Sequence, residues 1–405
     1  MFFRKRMSTK AYSPERIIWN RFYRNRTGMA AFLFIILSIV IAILGYLITP
    51  DKSTSANRQI LEITTQKPGF KVEVLKVRNN EYAEPQAWFN TMMFGKREPY
   101  TYYVLANYLF SGDSLTITLF DPEPSMIPLD MTFHLVDVIY PVDEILESSN
   151  EEVIARHIDG SIIQIDVAEA QRIVTQKNIR LHTFWLGTDQ FGRDLLSRLL
   201  IGTRISLAVG FISVIISLVI GLFIGSLGGY FRGRIDDFVM WLINVVWSIP
   251  TLLLVIAITF ALGKGFWQVF VAVGLTMWVE VARVVRGQII SIREKEFIEA
   301  GKALGFSHLR IIIRHILPNI ISPVIVISAA NFASAILIEA GLSFLGLGVQ
   351  PPTPSWGSMI KENYAFIILD LPYLAILPGI AIMLMVLAFM LVGNAMRDAQ
   401  DVKLA

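Results

Sequence analysis

Long runs without charge constrain this chain more than any other feature. Between Arg26 and Asp51 lie 24 residues with no Lys, Arg, Asp or Glu, between Arg204 and Arg232 lie 27, and between Asp237 and Lys264 lie 26. Arg314 and Glu339 bracket another 24, Asp370 and Arg397 another 26, and the run from Lys264 to Arg283 is broken only by Glu280. An ionised group at mid-bilayer costs a few kcal/mol, and a helix needs about 20 residues to cross the hydrocarbon core. The pattern predicts an all-α polytopic membrane protein with six transmembrane helices, the fourth over the short segment 266–282. The first apolar run, about 29–48, exceeds the h-region of a signal peptide and no small-residue cleavage site follows it, so it reads as an anchor.

Composition agrees. The chain is 54% hydrophobic and 17% charged, against about 25% charged for soluble domains. It has no cysteine, which excludes disulfides, thiol chemistry and cysteine-held metal centres. A formal net charge of +3 is too small to suggest nucleic-acid binding.

Basic residues set the expected orientation. Arg4, Lys5, Arg6, Lys10, Arg16, Arg21, Arg24 and Arg26 precede the first span against the single acid Glu15, which places the N-terminus in the cytoplasm. Alternation then puts Arg232 and Arg234, the basic loop 283–315 and the C-terminus inside. The predicted divisions are a basic cytoplasmic segment 1–28, a first transmembrane helix 29–49, an outer inserted domain 50–180, a pre-membrane segment 181–203, a membrane core 204–396 with spans two to six and the loop 284–318, and a cytoplasmic tail 397–405. Residues 16–26 also read as an amphipathic interfacial helix.

The insert has different physics. Residues 51–180 hold 12 basic and 19 acidic side chains, an ordinary soluble density. Period-two alternation at 70–77, 114–119 and 131–138, punctuated by Pro68-Gly69 and Pro122–Pro124, predicts strands, and 151–157 and 167–178 predict short helices. The expected product is a small, mostly β (α+β) domain. Its His134 and His157 are isolated and read as solvated or packed rather than as metal ligands.

No nucleotide, zinc-protease or serine-hydrolase signature is present, so no cofactor and no catalytic residue is expected. The inner loop carries the unusual pattern. Phe297–Gly305 has good helix formers ending on a glycine suited to a C-cap, and 307–318 reads as a second, amphipathic helix leading into span five. A short helix with an exposed Glu and small residues suits a groove in a partner protein. Among intramembrane residues, Asn331 and Glu339 lie about 80° apart on one helix and are candidates for pathway lining or packing. Glu280 is expected to pair with Arg283 or Arg286, and Pro250 to kink span three.

Glu299-Ala300-Gly301, then Gly305, then Ile316-Leu317-Pro318 resembles the EAA loop of ABC importer permeases. The stretch from Glu339-Ala340-Gly341-Leu342-Ser343-Phe344 through Gln350-Pro351-Pro352 to Ser355-Trp356-Gly357 resembles the signature of the C-type permease subunit of dipeptide/oligopeptide importers. Gly187-Thr188-Asp189, Phe191-Gly192-Arg193-Asp194, Ala282-Arg283 and Arg397-Asp398-Ala399 extend the likeness over about 184–401. Gly301 stands where that family usually has alanine, and the insert is much larger than its usual outer loop.

The resemblance implies the type I importer permease fold and a non-catalytic subunit of an ATP-driven peptide importer in the bacterial plasma membrane. It implies a sister B-type permease, two cytoplasmic ABC ATPase subunits and an extracytoplasmic substrate-binding protein as partners, besides membrane lipid. Glu299, Ala300, Gly301, Lys302, Ala303, Leu304, Gly305 and Pro318 would couple to the ATPase. Nickel or another small solute is an alternative cargo, and an ATP-independent secondary transporter an alternative class.

Overall fold

Five helices among the described residues are long and apolar enough to cross a membrane: Arg26–Leu47, Leu195–Phe231, Phe266–Arg293, His308–Phe344 and Tyr373–Gln400. A sixth exists only if Gly233–Trp247 and Thr251–Leu262 are joined across a bend of 89°. The expected third span is therefore broken rather than kinked. Pro250 has no N–H to continue the helical ladder; its ψ of 124° ends one helix, and its carbonyl accepts from Leu254 to start the next. The computed structural model describes residues 14–82, 86–122, 129–149, 151–263 and 265–400. The bases Arg4, Lys5, Arg6 and Lys10, with Lys264, Pro124 and 401–405, lie outside them.

The chain divides into two units. The first comprises Met1–Val40, Ile205–Gln350 and Gly379–Ala405. Its organising element is Phe266–Arg293, with 67% of its most apolar stretch buried, against 28% in Arg26–Leu47 and in Tyr373–Gln400. A glycine rail on Leu195–Phe231 makes this possible. A β-carbon at Gly221 would stand 2.5 Å from Val281 Cβ, at Gly225 2.6 Å from the Ala282 carbonyl, and at Gly229 2.9 Å from the Arg286 carbonyl. Glycines four residues apart share one helix face, and small residues there let two backbones meet where apolar burial offers no drive. The helix Pro14–Arg24 precedes the first span, and its Phe22 is buried with Ala395, Met396 and Ala399 of the last helix.

The second unit comprises Ile41–Arg204 and Pro351–Pro378. Among the described residues it holds eight strands: β1 Phe70–Arg78, β2 Tyr100–Ser111, β3 Ser114–Leu119, β4 Asp130–His134, β5 Val142–Ser148, β6 Glu152–His157, β7 Ile162–Asp166 and β8 Ile179–Phe184. A five-stranded antiparallel sheet runs β4-β3-β2-β1-β8, and a three-stranded one β5-β6-β7. Strand side chains alternate between faces, and β1 buries both. Val72 and Val74 pack with Ile60, Ile63, Val104 and Phe184. Leu75 and Val77 join a larger core with Leu115 and Ile117, with Leu135 and Val138 of helix Leu135–Ile139, and with Ala155 and Ile165 of the small sheet.

Two local expectations change. Residues 151–157, expected helical, form β6, because pairing on both edges with β5 and β7 overrides helix propensity. The alternation at 131–138 is strand only to His134 and then turns into a helix. β2, the longest strand, runs Tyr102-Tyr103-Val104-Leu105-Ala106, then Asn107, then Tyr108-Leu109-Phe110, so its sequence shows no period-two alternation.

The rail yields a direct stability test. Gly225→Ala forces a β-carbon against a backbone carbonyl, and overpacking of this kind costs about 1–3 kcal/mol. At Gly287, on the facing helix, a β-carbon meets nothing within 4 Å. Thermal unfolding of the purified protein should show a lower midpoint for Gly225→Ala and no loss for Gly287→Ala.

Candidate functional site

Helix Glu296–Ala303 has one face built into the protein and one left open. Ile298 and Gly301 are buried, and Ile298 joins Val281, Val285, Ile289, Ile311, Ile312 and Ile316 in one core. Phe297, Glu299, Ala300, Lys302, Ala303 and Leu304 are exposed, with Leu304 73% exposed.

The helix ends in a Schellman motif. Gly305 takes φ +74°, a conformation that glycine adopts without strain. Gly305 N–H donates to Lys302 O at 2.9 Å and Phe306 N–H to Gly301 O at 3.1 Å, which satisfies carbonyls that a helix end leaves open. Phe306 stacks on the His315 ring at 5.8 Å, with the Arg310 guanidinium 4.1 Å from its centroid. A β-carbon at Gly301 would lie 3.4 Å from the Phe306 ring, an ordinary contact, so alanine fits there. Ser307 caps the next helix by accepting from Arg310 N–H.

The loop is tied to the C-terminal end of the glycine-rail helix. Arg293 donates to the Tyr230 carbonyl, Tyr230 Oη is 2.9 Å from His308 Nδ1, and Arg232 pairs with Glu294 at 2.5 Å. Pro318 lies in the first turn of helix Leu317–Phe344, within the longer helical run His308–Phe344. Its missing N–H falls just after the wide π-turn Ile312–Ile316, a usual way to absorb a proline in a helix.

Asn331 and Glu339 are fully buried. Asn331 Nδ2 is 3.5 Å from the Met277 carbonyl, and Glu339 Oε1 accepts from Ser343 Oγ at 2.7 Å. Such enclosure is the environment of a packing contact. Glu280 is the polar group that reasoning from sequence misplaced. Arg286 binds Asp236 bidentately at 2.5 and 2.6 Å, and Arg283 sits 3.2 Å from the Trp247 ring centroid. Both expected partners are thus engaged elsewhere. Glu280 is exposed, has no ion pair among the described residues, and lines a cavity of about 310 Å³ with Thr251, Thr276 and Ser334, beside the Pro250 bend.

The second unit holds a buried ion-pair knot. Asp189 accepts from the amides of Phe191 and Arg193 and from Arg193 Nε at 2.7 Å. Arg193 and Arg198 both reach Glu362, at 2.5 and 3.2 Å. Thr188 Oγ1 donates to the Ile63 carbonyl. Beside it, Asp194 accepts from the Ser197 amide at 2.8 Å, yet burial pushes its carboxyl above the usual carboxylate range. A further cluster joins Arg58, Glu98 and Tyr102, with the guanidinium 2.6 Å from Glu98 and 3.9 Å from the Tyr102 ring centroid. Burial raises the Tyr102 phenol, and burial together with Arg58 lowers His182. Among the described residues no group of three or more acidic or histidine side chains could hold a metal ion.

Comparison with known proteins places these features. Residues 199–405 match the family model described as binding-protein-dependent transport system inner membrane component. Residues 13–68 match that of the N-terminal TM domain of oligopeptide transport permease C. The glutathione transport system permease protein GsiD of Pectobacterium atrosepticum is 42% identical over 220 residues, 54% of this chain and 73% of the relative. The dipeptide transport system permease protein DppC of Alkalihalophilus pseudofirmus is 42% identical over 220 residues, 54% and 72% of the two chains. Among solved structures, an inward-facing form of the MetNI methionine ABC transporter aligns with a TM-score of 0.43 at 19% identity, covering 51% of this chain and 97% of that one.

The ion knot makes a sharp demand on stability. Arg193 and Arg198 have side chains 3% and 1% exposed, and removing one partner from a buried pair costs about 3–5 kcal/mol. Glu362→Gln should lower the thermal midpoint of the purified protein well below that of Glu144→Gln, whose pair with Arg156 is solvent-exposed and worth about 0–1 kcal/mol.

Proposed function

The chain belongs to the binding-protein-dependent transport system inner membrane components, as a C-type permease of the peptide/oligopeptide ABC importer family, and from that premise we propose how it works. It pairs with a sister B-type permease to form a pathway for di- and oligopeptides across the bacterial plasma membrane. Two cytoplasmic ATPases drive it, and an extracytoplasmic binding protein delivers cargo. The N- and C-termini face the cytoplasm, and the inserted domain lies on the outer side. The chain itself is not catalytic. The relatives named for dipeptide and glutathione transport support small peptides as cargo.

One observation carries the coupling role. Helix Glu296–Ala303 is rigidly seated by Ile298, Gly301 and its Schellman cap, while Phe297, Ala300 and Leu304 are left uncovered. An amphipathic helix fixed on one side and open on the other is suited to lie in the groove of a partner. In this proposal Glu299 makes a polar contact at the rim, and Gly305 and Phe306 hold the helix end at a fixed angle. ATP-driven closure of the ATPases moves the helix as a rigid body. Arg293, His308 and the glycine rail pass that motion to Leu195–Phe231 and Phe266–Arg293. Pro250, at the broken helix, and Glu280, in the adjacent cavity, then face the changing pathway, while Asn331 and Glu339 hold the helices that frame it.

Glu299→Arg and Leu304→Asp alter only exposed side chains. Both variants should insert and remain folded but no longer co-purify with the ATPase subunits, and ATP-dependent dipeptide uptake should be lost. Gly301→Ala, which the packing accommodates, should retain both and gain up to about 1 kcal/mol of helix stability. Full ATPase retention in Glu299→Arg and Leu304→Asp would refute the coupling assignment. Competition of labelled dipeptide uptake by unlabelled dipeptide but not by nickel distinguishes the cargo.

A further inference from the structure

A short helix in the insert exposes apolar surface that the domain core does not explain. Trp88–Phe94 reads Trp-Phe-Asn-Thr-Met-Met-Phe, with no charge in it. Only Met92 is buried, while Trp88 is 70%, Phe89 53% and Phe94 67% exposed, and Met93 is exposed as well. Three large aromatic rings left in water on seven residues would be a marked liability for a soluble domain.

The helix is pinned to the end of the first candidate span. It packs against the turn Gly45–Leu47 that closes Arg26–Leu47. The Arg204 guanidinium joins the two. Its Nε donates to the Ala42 carbonyl at 2.7 Å, and its Nη1 and Nη2 donate to the carbonyls of Met93, Ile43 and Met92 at 2.5, 3.2 and 3.0 Å. These are C-terminal carbonyls of two helices, which a cation satisfies well. Arg204 also lies 5.4 Å from the Tyr46 ring centroid. The exposed aromatics are thus continuous with the exposed Ile43, Leu47 and Ile48 at the end of the span.

Charge points the same way. The insert is acidic overall, yet no acidic residue occurs from Gln86 to Arg97. Lys96 and Arg97 follow the helix and are exposed, and Lys96 N–H donates to the carbonyl of the exposed Lys52 at 2.7 Å. An apolar, aromatic face with a basic rim at the end of a transmembrane helix matches the bilayer's interfacial zone.

We infer that Trp88–Phe94 is an interfacial membrane anchor, whose Trp88, Phe89, Met93 and Phe94 insert at the lipid headgroup boundary while Lys52, Lys96 and Arg97 meet lipid phosphates. The anchor fixes the start of the insert to the membrane on the side where the first span ends. A second protein covering the same face is the competing outcome.

The absence of cysteine from the chain allows a direct test. Single-cysteine variants Phe89→Cys and Phe94→Cys of the full chain are spin-labelled and placed in nanodiscs containing phosphatidylglycerol, with Ile162→Cys, exposed on β7, as the aqueous control. Labels at Phe89 and Phe94 should collide more with oxygen than with a water-soluble nickel chelate, and Ile162 should show the reverse. Lys96→Glu with Arg97→Glu should shift the Phe94 label toward the aqueous pattern. Aqueous behaviour at Phe89 and Phe94, or labels shielded from both reagents as beneath a partner protein, would overturn the inference.

Discussion

Close approach of two helix backbones is the contact on which the membrane unit depends. Gly221, Gly225 and Gly229 let Leu195–Phe231 lie against Val281, Ala282, Arg286 and Ile289 with no room for a β-carbon. In lipid no hydrophobic effect drives helices together, so such contacts carry much of the association. The same pair of helices ends at Tyr230 and Arg293, whose side chains and carbonyl hold the loop bearing helix Glu296–Ala303. The exposed face of that helix is therefore an extension of the most tightly packed part of the membrane unit.

The second unit solves a different problem. It cannot use disulfides, and it holds itself with two sheets and short helices around one core, closed on the far face of β1 by Ile60, Ile63 and Phe184. Where the chain turns into Leu195–Phe231, buried charges do the fixing. Asp189, Arg193, Arg198 and Glu362 bring together segments more than 160 residues apart in sequence. Burying such a set is costly unless every partner is present, so the knot specifies one arrangement of the segments rather than adding much stability.

Much of the membrane unit was legible because a bilayer filters sequence in one dimension. Charge-free runs marked the spans without knowledge of their partners, and Gly305 marked the end of helix Glu296–Ala303. What failed needed three dimensions. The rail glycines looked like ordinary members of an apolar run, since their meaning lies in Val281 and Ala282 some sixty residues on. Glu280 was assigned the nearest arginines, but Arg286 found Asp236 and Arg283 found Trp247. Glu152–His157 carries helix formers and became a strand through its two neighbours. The residues of the ion knot stood out by family likeness alone, and their chemistry became visible only with Glu362 beside them.

The central claim is that helix Glu296–Ala303 is the seat of an ATPase. Site-specific cross-linking measures it most directly. A benzophenone-labelled single cysteine at Leu304, which is 73% exposed, is irradiated in the assembled transporter in native membranes. The account predicts one dominant adduct, with an ATPase subunit, whose yield changes when ATP is bound. Adducts only with lipid or with the sister permease, insensitive to ATP, would contradict it.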